Sequence, residues 1–348
     1  MLQKYLKYKN KYLNEKKQKG GDMDTVIVKK QGTDNKILIS FKYGFIYDYE
    51  RKKSYLLHHE QQPNVFKLLD IYANPISRKF LRYNAVGQEP NDHWREPNRH
   101  WQVLNSNMLV DYDIYGYQHL PPINYNIYNK KIVIFIRHGQ SMANVHGSNM
   151  DFNLVNLSAL GTQQAEELKN KLIRFDTMLK ASPENSTFYH YRKGIQAAII
   201  SPLKRTLLTG LPTFQHLPNL PIKVTPLCSE YANTRSDMCF SRSQDYLDWV
   251  PTTGLVNHNG VNNRLIMDNA NYDKWANILW KNFDDKNDGI VFDHRLRLFE
   301  EYIKKQKENV IMIVSHGQFI YHYFNKIIKS PNYNIQLDNT GFIATFHE

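Results

Sequence analysis

The chain has 348 residues, 41% apolar and 22% charged, with 16 Gly and 14 Pro; at about 150 residues per domain it is long enough for one large or two ordinary folded units, and collagen-like, coiled-coil and wholly disordered chains are excluded. Net charge is +12, but residues 1–20 hold seven Lys against Glu15, so the remainder is only mildly basic and does not read as a specific nucleic-acid binder. No apolar run is longer than Ile132–Ile136, far short of the ~20 residues of a membrane helix.

Residues 1–21 predict a basic leader helix. Leu2, Leu6 and Leu13 fall near helical spacing with Tyr5, Tyr8 and Tyr12, lysines fill the gaps, and Gly20 and Gly21 stop the run. Lys4, Lys7, Lys9 and Lys11 break up any apolar core of the kind a secretory signal needs. Such a helix is either a solvated face outside the core or a segment that docks to an anionic surface or another protein. The stretch resembles a Lys/Tyr/Leu leader that recurs in proteins of large cytoplasmic DNA viruses, which implies residence in the host cytoplasm or the virion. Two cysteines, Cys228 and Cys239, make neither a disulfide framework nor a cysteine zinc site, in keeping with a reducing, cytoplasmic compartment.

Residues 22–128 predict a small α+β region that resembles no family. Thr25–Val28 and Ile37–Phe41 read as short strands, Phe66–Tyr72 as helix or strand, and Asn91–Trp101 as a polar loop. His58, His59, His93 and His100 lack compact ligand spacing and read as surface or packing residues. Pro121 and Pro122 mark a connection to a second unit over 129–348.

From Lys131 onward, strand and helix patterns alternate. Ile132–Ile136 is a continuous β-branched and aromatic run of the buried parallel type. After Ser158, the residues Ala165, Leu168, Leu172, Phe175 and Leu179 recur at helical spacing. Ala197–Ile200 is a second strand, and Ser201 with Pro202 reads as an N-cap and first helical residue. Ile222–Val224, a helix stripe over Leu296–Ile303, the strand Val310–Val314 with a helix after it, and Phe342–Phe346 complete the pattern. Such alternation predicts a three-layer α/β domain.

In open α/β sheets ligands gather beyond the carboxyl ends of the strands. One strand here runs into Arg137, His138, Gly139, Gln140 and Ser141 and on to Asn144; another ends in Ser315, His316 and Gly317; a third delivers Ser201, Pro202, Leu203, Lys204, Arg205 and Thr206. A lone strand-end His is usually structural, but two His-Gly ends with two nearby Arg point to chemistry. From about Lys131 to the C-terminus the chain resembles the histidine phosphatase superfamily, the phosphoglycerate mutase-like fold. Arg137-His138-Gly139 with Ser141 and Asn144 is similar to its signature. Leu157, Ser158, Gly161, Gln164 and Ala165 match its first helix, Ser201–Thr206 and Thr209 the segment with its second arginine, and His316-Gly317 its distal histidine.

The resemblance implies that His138 accepts the phosphoryl group and that Arg137, Arg205 and His316 bind it, with Ser141 and Asn144 in the same phosphate-binding set. Chemistry is in accord with these roles. Phosphoryl transfer spreads negative charge over equatorial oxygens, which fixed cationic donors stabilise, and a guanidinium fork holds two oxygens at once. A nucleophilic imidazole must be unprotonated, and flanking guanidinium groups favour that state. The leaving oxygen needs an acid. Glu230 stands where the family places its donor, and Asp237, with Arg242 downstream, is the backup.

Two departures from the family pattern matter. The Glu-Arg-His-Tyr-Gly run of the cofactor-dependent mutases is missing, and a polar insertion from about Pro251 to Asp293 is expected to build a substrate-facing lid or rim. With no acidic cluster for Mg²⁺ evident, neither metal nor cofactor is expected. The reading is a metal-independent phosphomonoester hydrolase working through a phosphohistidine on an unidentified phosphorylated substrate. A mutase-type phosphoryl transfer and a non-catalytic anion- or partner-binding protein are the alternatives.

Overall fold

The computed structural model describes the strands between residues 25 and 114 and most of residues 130–347. The predicted leader helix, the Pro121–Pro122 link and His93 lie outside the described residues.

Eight strands occupy the first unit: β1 Thr25–Lys30, β2 Lys36–Ser40, β3 Phe45–Asp48, β4 Lys53–His59, β5 Val65–Asp70, β6 Lys79–Asn84, β7 His100–Asn105 and β8 Met108–Ile114. Each pairs antiparallel with the next and β8 returns to β1, closing a barrel. This corrects the α+β expectation for residues 22–128, since every described element there is a strand. Of the Phe66–Tyr72 run, residues 66–70 fall on β5, and the end of Asn91–Trp101 falls on β7. The physical reason is length. Runs of 4–7 residues rich in Ile, Val, Leu, Phe and Tyr are too short to bury a helical face but fill one strand each. His58, His59 and His100 all lie on barrel strands.

The second unit is a six-stranded sheet of β9 Lys131–Arg137, β10 Ala197–Ile200, β11 Ile222–Val224, β12 Leu265–Met267, β13 Val310–Ser315 and β14 Phe342–His347, in the order β12-β11-β10-β13-β9-β14. All neighbours are parallel except β14, which runs antiparallel to β9. Its helices are α1 Met142–His146, α2 Ala159–Lys180, α3 Lys204–His216, α4 Ser243–Thr252, α5 Asn269–Asp285, α6 Asp288–Lys304 and α7 Gly317–Lys326. Alternate residues of β9 face opposite sides. Ile132, Ile134 and Ile136 join a core with Leu168 and Leu172 of α2 and Leu207 of α3. Val133 and Phe135 join another with Leu296 and Phe299 of α6 and Phe319 of α7. The sheet is therefore covered on both faces, a three-layer α/β/α unit as the alternation predicts. No helix among the described residues is long and apolar enough to cross a membrane.

The lid or rim expected from about Pro251 to Asp293 is, in its described part, sheet edge and packed helix. Among its described residues, β12 extends the sheet beside β11, and α5 buries Tyr272, Trp275, Ala276 and Leu279 at three- and four-residue spacing. That stripe is a core-facing helix signal embedded in polar sequence.

Barrel and sheet pack together along β14. Phe346 N donates to Tyr43 O at 2.7 Å, Ser54 Oγ donates to Phe342 O at 3.1 Å, and Tyr47 OH donates to Gln336 O at 3.3 Å. Leu38, Phe45 and Tyr47 share the core that holds Val133 and Phe135.

Candidate active site

Because β10, β13 and β9 are parallel neighbours, their carboxyl ends open on one edge, and the residues that follow them meet there. After β9 the loop 138–140 presses against the start of α2. A Cβ on Gly161 would lie 1.9 Å from Gln140 O, and one on Gly139 2.8 Å from Gly161 O, so neither position has room for a side chain. Gly139 N donates to Thr209 Oγ1 at 2.9 Å, and Gln140 N to Gln164 Oε1 at 2.8 Å. The loop is thus tied to both flanking helices.

His138 is buried. Its Nδ1 lies 2.6 Å from Gly139 O, an oxygen that can only accept, so the proton sits on Nδ1 and Nε2 carries the lone pair. Arg205 Nε donates to that lone pair at 3.2 Å. Burial first, then the Arg205 charge, holds His138 well below the usual histidine range, with Arg137 adding to the effect and the Gly139 bond opposing it. The ring is a neutral imidazole whose Nε2 lone pair accepts from a guanidinium.

Arg205 is also buried. Besides His138 it reaches Ser236 O from Nη1 at 2.6 Å and Asp237 Oδ1 from Nη2 at 3.2 Å. Arg137 donates from Nη1 to Leu337 O at 2.7 Å, and its Nε is a buried donor with no acceptor among the described residues. His316, fully buried, stands with its ring centroid 5.2 Å from that of His138. Its Nε2 meets Ser201 Oγ at 2.8 Å, while its Nδ1 is likewise buried and unmatched. His316 is also held well below the usual histidine range, by burial and then by Arg205. Leaving a buried polar nitrogen unpaired costs about 1–3 kcal/mol. The unmatched Arg137 Nε beside a second guanidinium suits an oxyanion, and His316 Nδ1 adds a donor in the tautomer where Ser201 Oγ donates to Nε2.

Two carboxyl groups complete the site. Asp237 is ion-paired with Arg205 and accepts from Thr234 N at 3.1 Å and Thr234 Oγ1 at 2.7 Å. Glu230 caps the first turn of α7, the helix that His316 opens, accepting from Phe319 N at 3.0 Å and from its neighbour Tyr231 N at 3.0 Å. Burial raises both above the usual carboxyl range, but they differ in what comes second. For Asp237 it is the Arg205 charge, which favours ionisation; for Glu230 it is the Asp237 charge, which opposes it. Glu230 is therefore the better proton donor of the two. Arg242 is exposed and spent on Asp245, with Nε to Oδ2 at 3.0 Å.

The sequence-predicted His138, Arg205 and His316 come together, with Asp237 on Arg205, and Arg137 and Glu230 are within electrostatic reach of them. Ser141 and Asn144 are engaged with each other. Asn144 Oδ1 accepts from Ser141 N at 3.0 Å and from Ser141 Oγ at 3.0 Å, forming the capping box of α1. The Ser201 expectation is corrected, because α3 begins at Lys204 behind Leu203, and Ser201 Oγ is turned to His316 instead. Sequence reasoning did not single out Arg295 or the 337–341 segment. Within that segment, Thr340 N donates to Arg137 O at 3.0 Å and Gly341 O accepts from Arg137 N at 3.0 Å. The signal for Arg295 was a charge inside the apolar stripe Phe292, Leu296, Phe299 and Ile303.

No family model matches the chain, and no curated protein matches it. Solved structures that it is similar to include the alpha-ribazole phosphatase of Shigella flexneri, at 18% identity and TM-score 0.37, covering 62% of this chain and 94% of that one. A mycobacterial glucosyl-3-phosphoglycerate phosphatase in complex with VO3 matches at 18% identity and TM-score 0.35, over 61% and 90% of the two chains. A phosphoserine phosphatase variant of Entamoeba histolytica in complex with phosphoserine matches at 18% and 0.35, over 61% and 88%.

Proposed function

We propose that the protein is a phosphomonoester hydrolase that carries the phosphoryl group on His138. The observation behind this reading is the fixed tautomer of a buried, unprotonated His138, whose Nε2 faces Arg205 while Nδ1 is tied to Gly139 O. The order of motifs resembling the histidine phosphatase superfamily is in accord with it.

In the first step His138 Nε2 attacks phosphorus, the bond to the ester oxygen breaks, and that oxygen takes the proton of Glu230. Arg137, Arg205 and the Nδ1 of His316 supply donors for the equatorial oxygens as charge spreads over them. In the second step water attacks phosphorus, the phosphorus–Nε2 bond breaks, and Glu230 takes the proton from that water. Inorganic phosphate leaves and the resting state is restored. Glu230 suits both steps because burial and the Asp237 charge favour its protonated form over that of an ordinary carboxyl, while Arg205 keeps the ionised form accessible.

The test is phosphate release from a panel of phosphomonoesters, with and without EDTA, by wild type and His138→Ala. Release that survives chelation and vanishes in the variant supports hydrolysis, as does acid-labile, alkali-stable phosphate trapped on the quenched wild type. Isomer interconversion without release would replace the hydrolase reading with a mutase. No turnover, with phosphate bound tightly, would replace it with a binding protein.

A further inference from the structure

We infer that Arg295 is a positioning residue for the proton donor, fixing from inside the fold the backbone of the loop that presents Glu230. The inference rests on the hydrolase reading above. Arg295 lies on α6 and is fully buried. Its guanidinium gathers three carbonyls of a single loop. Nη1 donates to Pro226 O at 3.2 Å and Ser229 O at 2.8 Å, and Nη2 donates to Glu230 O at 2.9 Å. The guanidinium carbon sits 4.7 Å from the centre of the Phe292 ring, which limits its movement. A second tie comes from β13, where Ser315 Oγ donates to Cys228 O at 2.7 Å. Beyond these anchors the Glu230 carboxyl reaches the first turn of α7, directly after His316.

Chemistry separates this role from ordinary packing. Burying a charge is costly, and an apolar residue at 295 would extend the stripe of Phe292, Leu296 and Phe299 without that cost. What an apolar residue lacks is a planar fork able to hold several carbonyls of one loop. A loop held this way keeps the carboxyl in reach of the leaving oxygen, and proton donation is sensitive to placement.

The experiment compares two esters. An alkyl phosphate needs a proton on its leaving oxygen, whereas p-nitrophenyl phosphate releases a stabilised phenolate without one. Arg295→Lys keeps the charge and loses the fork; Arg295→Met keeps the volume and loses both. For either variant that folds, by near-ultraviolet circular dichroism, kcat/KM, which reports transfer to His138 and not the later hydrolysis shared by both esters, is expected to fall about 10- to 100-fold on the alkyl ester and less than about threefold on the aryl ester. In a Glu230→Gln background the same substitution is expected to cost less than about threefold on the alkyl ester, since the positioned group is already gone. Equal losses on both esters, additive losses in the double variant, or failure of both variants to fold would overturn the inference and leave Arg295 a structural residue. A wild type inert toward both esters would overturn the hydrolase reading itself.

Discussion

The barrel and the α/β sheet are both made of short apolar strands, and they differ in the direction those strands run. Every barrel neighbour is antiparallel, so successive strand ends alternate between two rims. In the sheet β9 to β13 run parallel and deliver every carboxyl end to one edge. His138, Arg205 and His316 collect at that edge, although they are far apart in the chain. Strand direction, more than strand composition, decides where chemistry can gather. Among the described residues the barrel reaches the site at second hand, through residues 336–342, where Leu337 O receives Arg137.

The sharpest way to break this contrast is His138→Ala. Phosphate release is expected to fall about 10⁴-fold or more, and retained activity would mean that the parallel edge is not the site. On the barrel side, Phe45 is fully buried and packs edge-on against Phe324 at 5.6 Å. Phe45→Ala is expected to cost about 3–5 kcal/mol in urea unfolding while leaving the KM of the proposed hydrolysis in place for the folded protein; a raised KM would show the barrel shaping the site directly. Gly161→Ala should combine both effects, because its new Cβ meets Gln140 O. About 1–3 kcal/mol of stability is expected to go, with KM rising as the 138–140 loop is displaced.

The pH dependence follows from the two histidines. Both are held below the ordinary histidine range when folded. Below about pH 6.5 the unfolded chain therefore binds protons that the folded chain refuses. Stability from this source is intact above that pH and falls as pH is lowered, so the urea midpoint should drop between about pH 7.5 and pH 5, with a shallower drop in His316→Gln. The smallest effect belongs to Lys52→Met. Its ion pair with Asp338, at 2.8 Å, is exposed on both sides, and less than about 1 kcal/mol is expected by the same measurement.

How much of this was legible in the sequence depended on how local the signal was. Buried parallel strands announce themselves as unbroken apolar runs, which is why Ile132–Ile136 and Val310–Val314 mark β9 and β13. His-Gly after such a run is local too, and so the histidines and Arg205 were found. The barrel was obscured because its strands are short and interrupted by His, Lys and Asp, leaving no period long enough to separate helix from strand. Residue type does not tell which partner a side chain takes where more than one is within reach. Ser201 has the chemistry of an N-cap but serves His316, and Ser141 with Asn144 pair with each other. Carbonyl acceptors such as Leu337 O and Ser229 O have no side-chain signature at all. The half-buried Glu230 was found by position, but the Arg295 behind it could be seen only as a charge out of place.

The place of β9 in the sheet bears on how the chain is made. Its two neighbours, β13 and β14, come from the far end of the sequence, and the Arg137–Leu337 bond spans 200 positions. On the ribosome, therefore, Ile132–Ile136 emerges as a sticky, unpaired ribbon long before either partner exists. Until then it is open to association with other nascent chains or capture by a chaperone, and the slow closure of such distant pairings makes the candidate site one of the last parts of the molecule to mature.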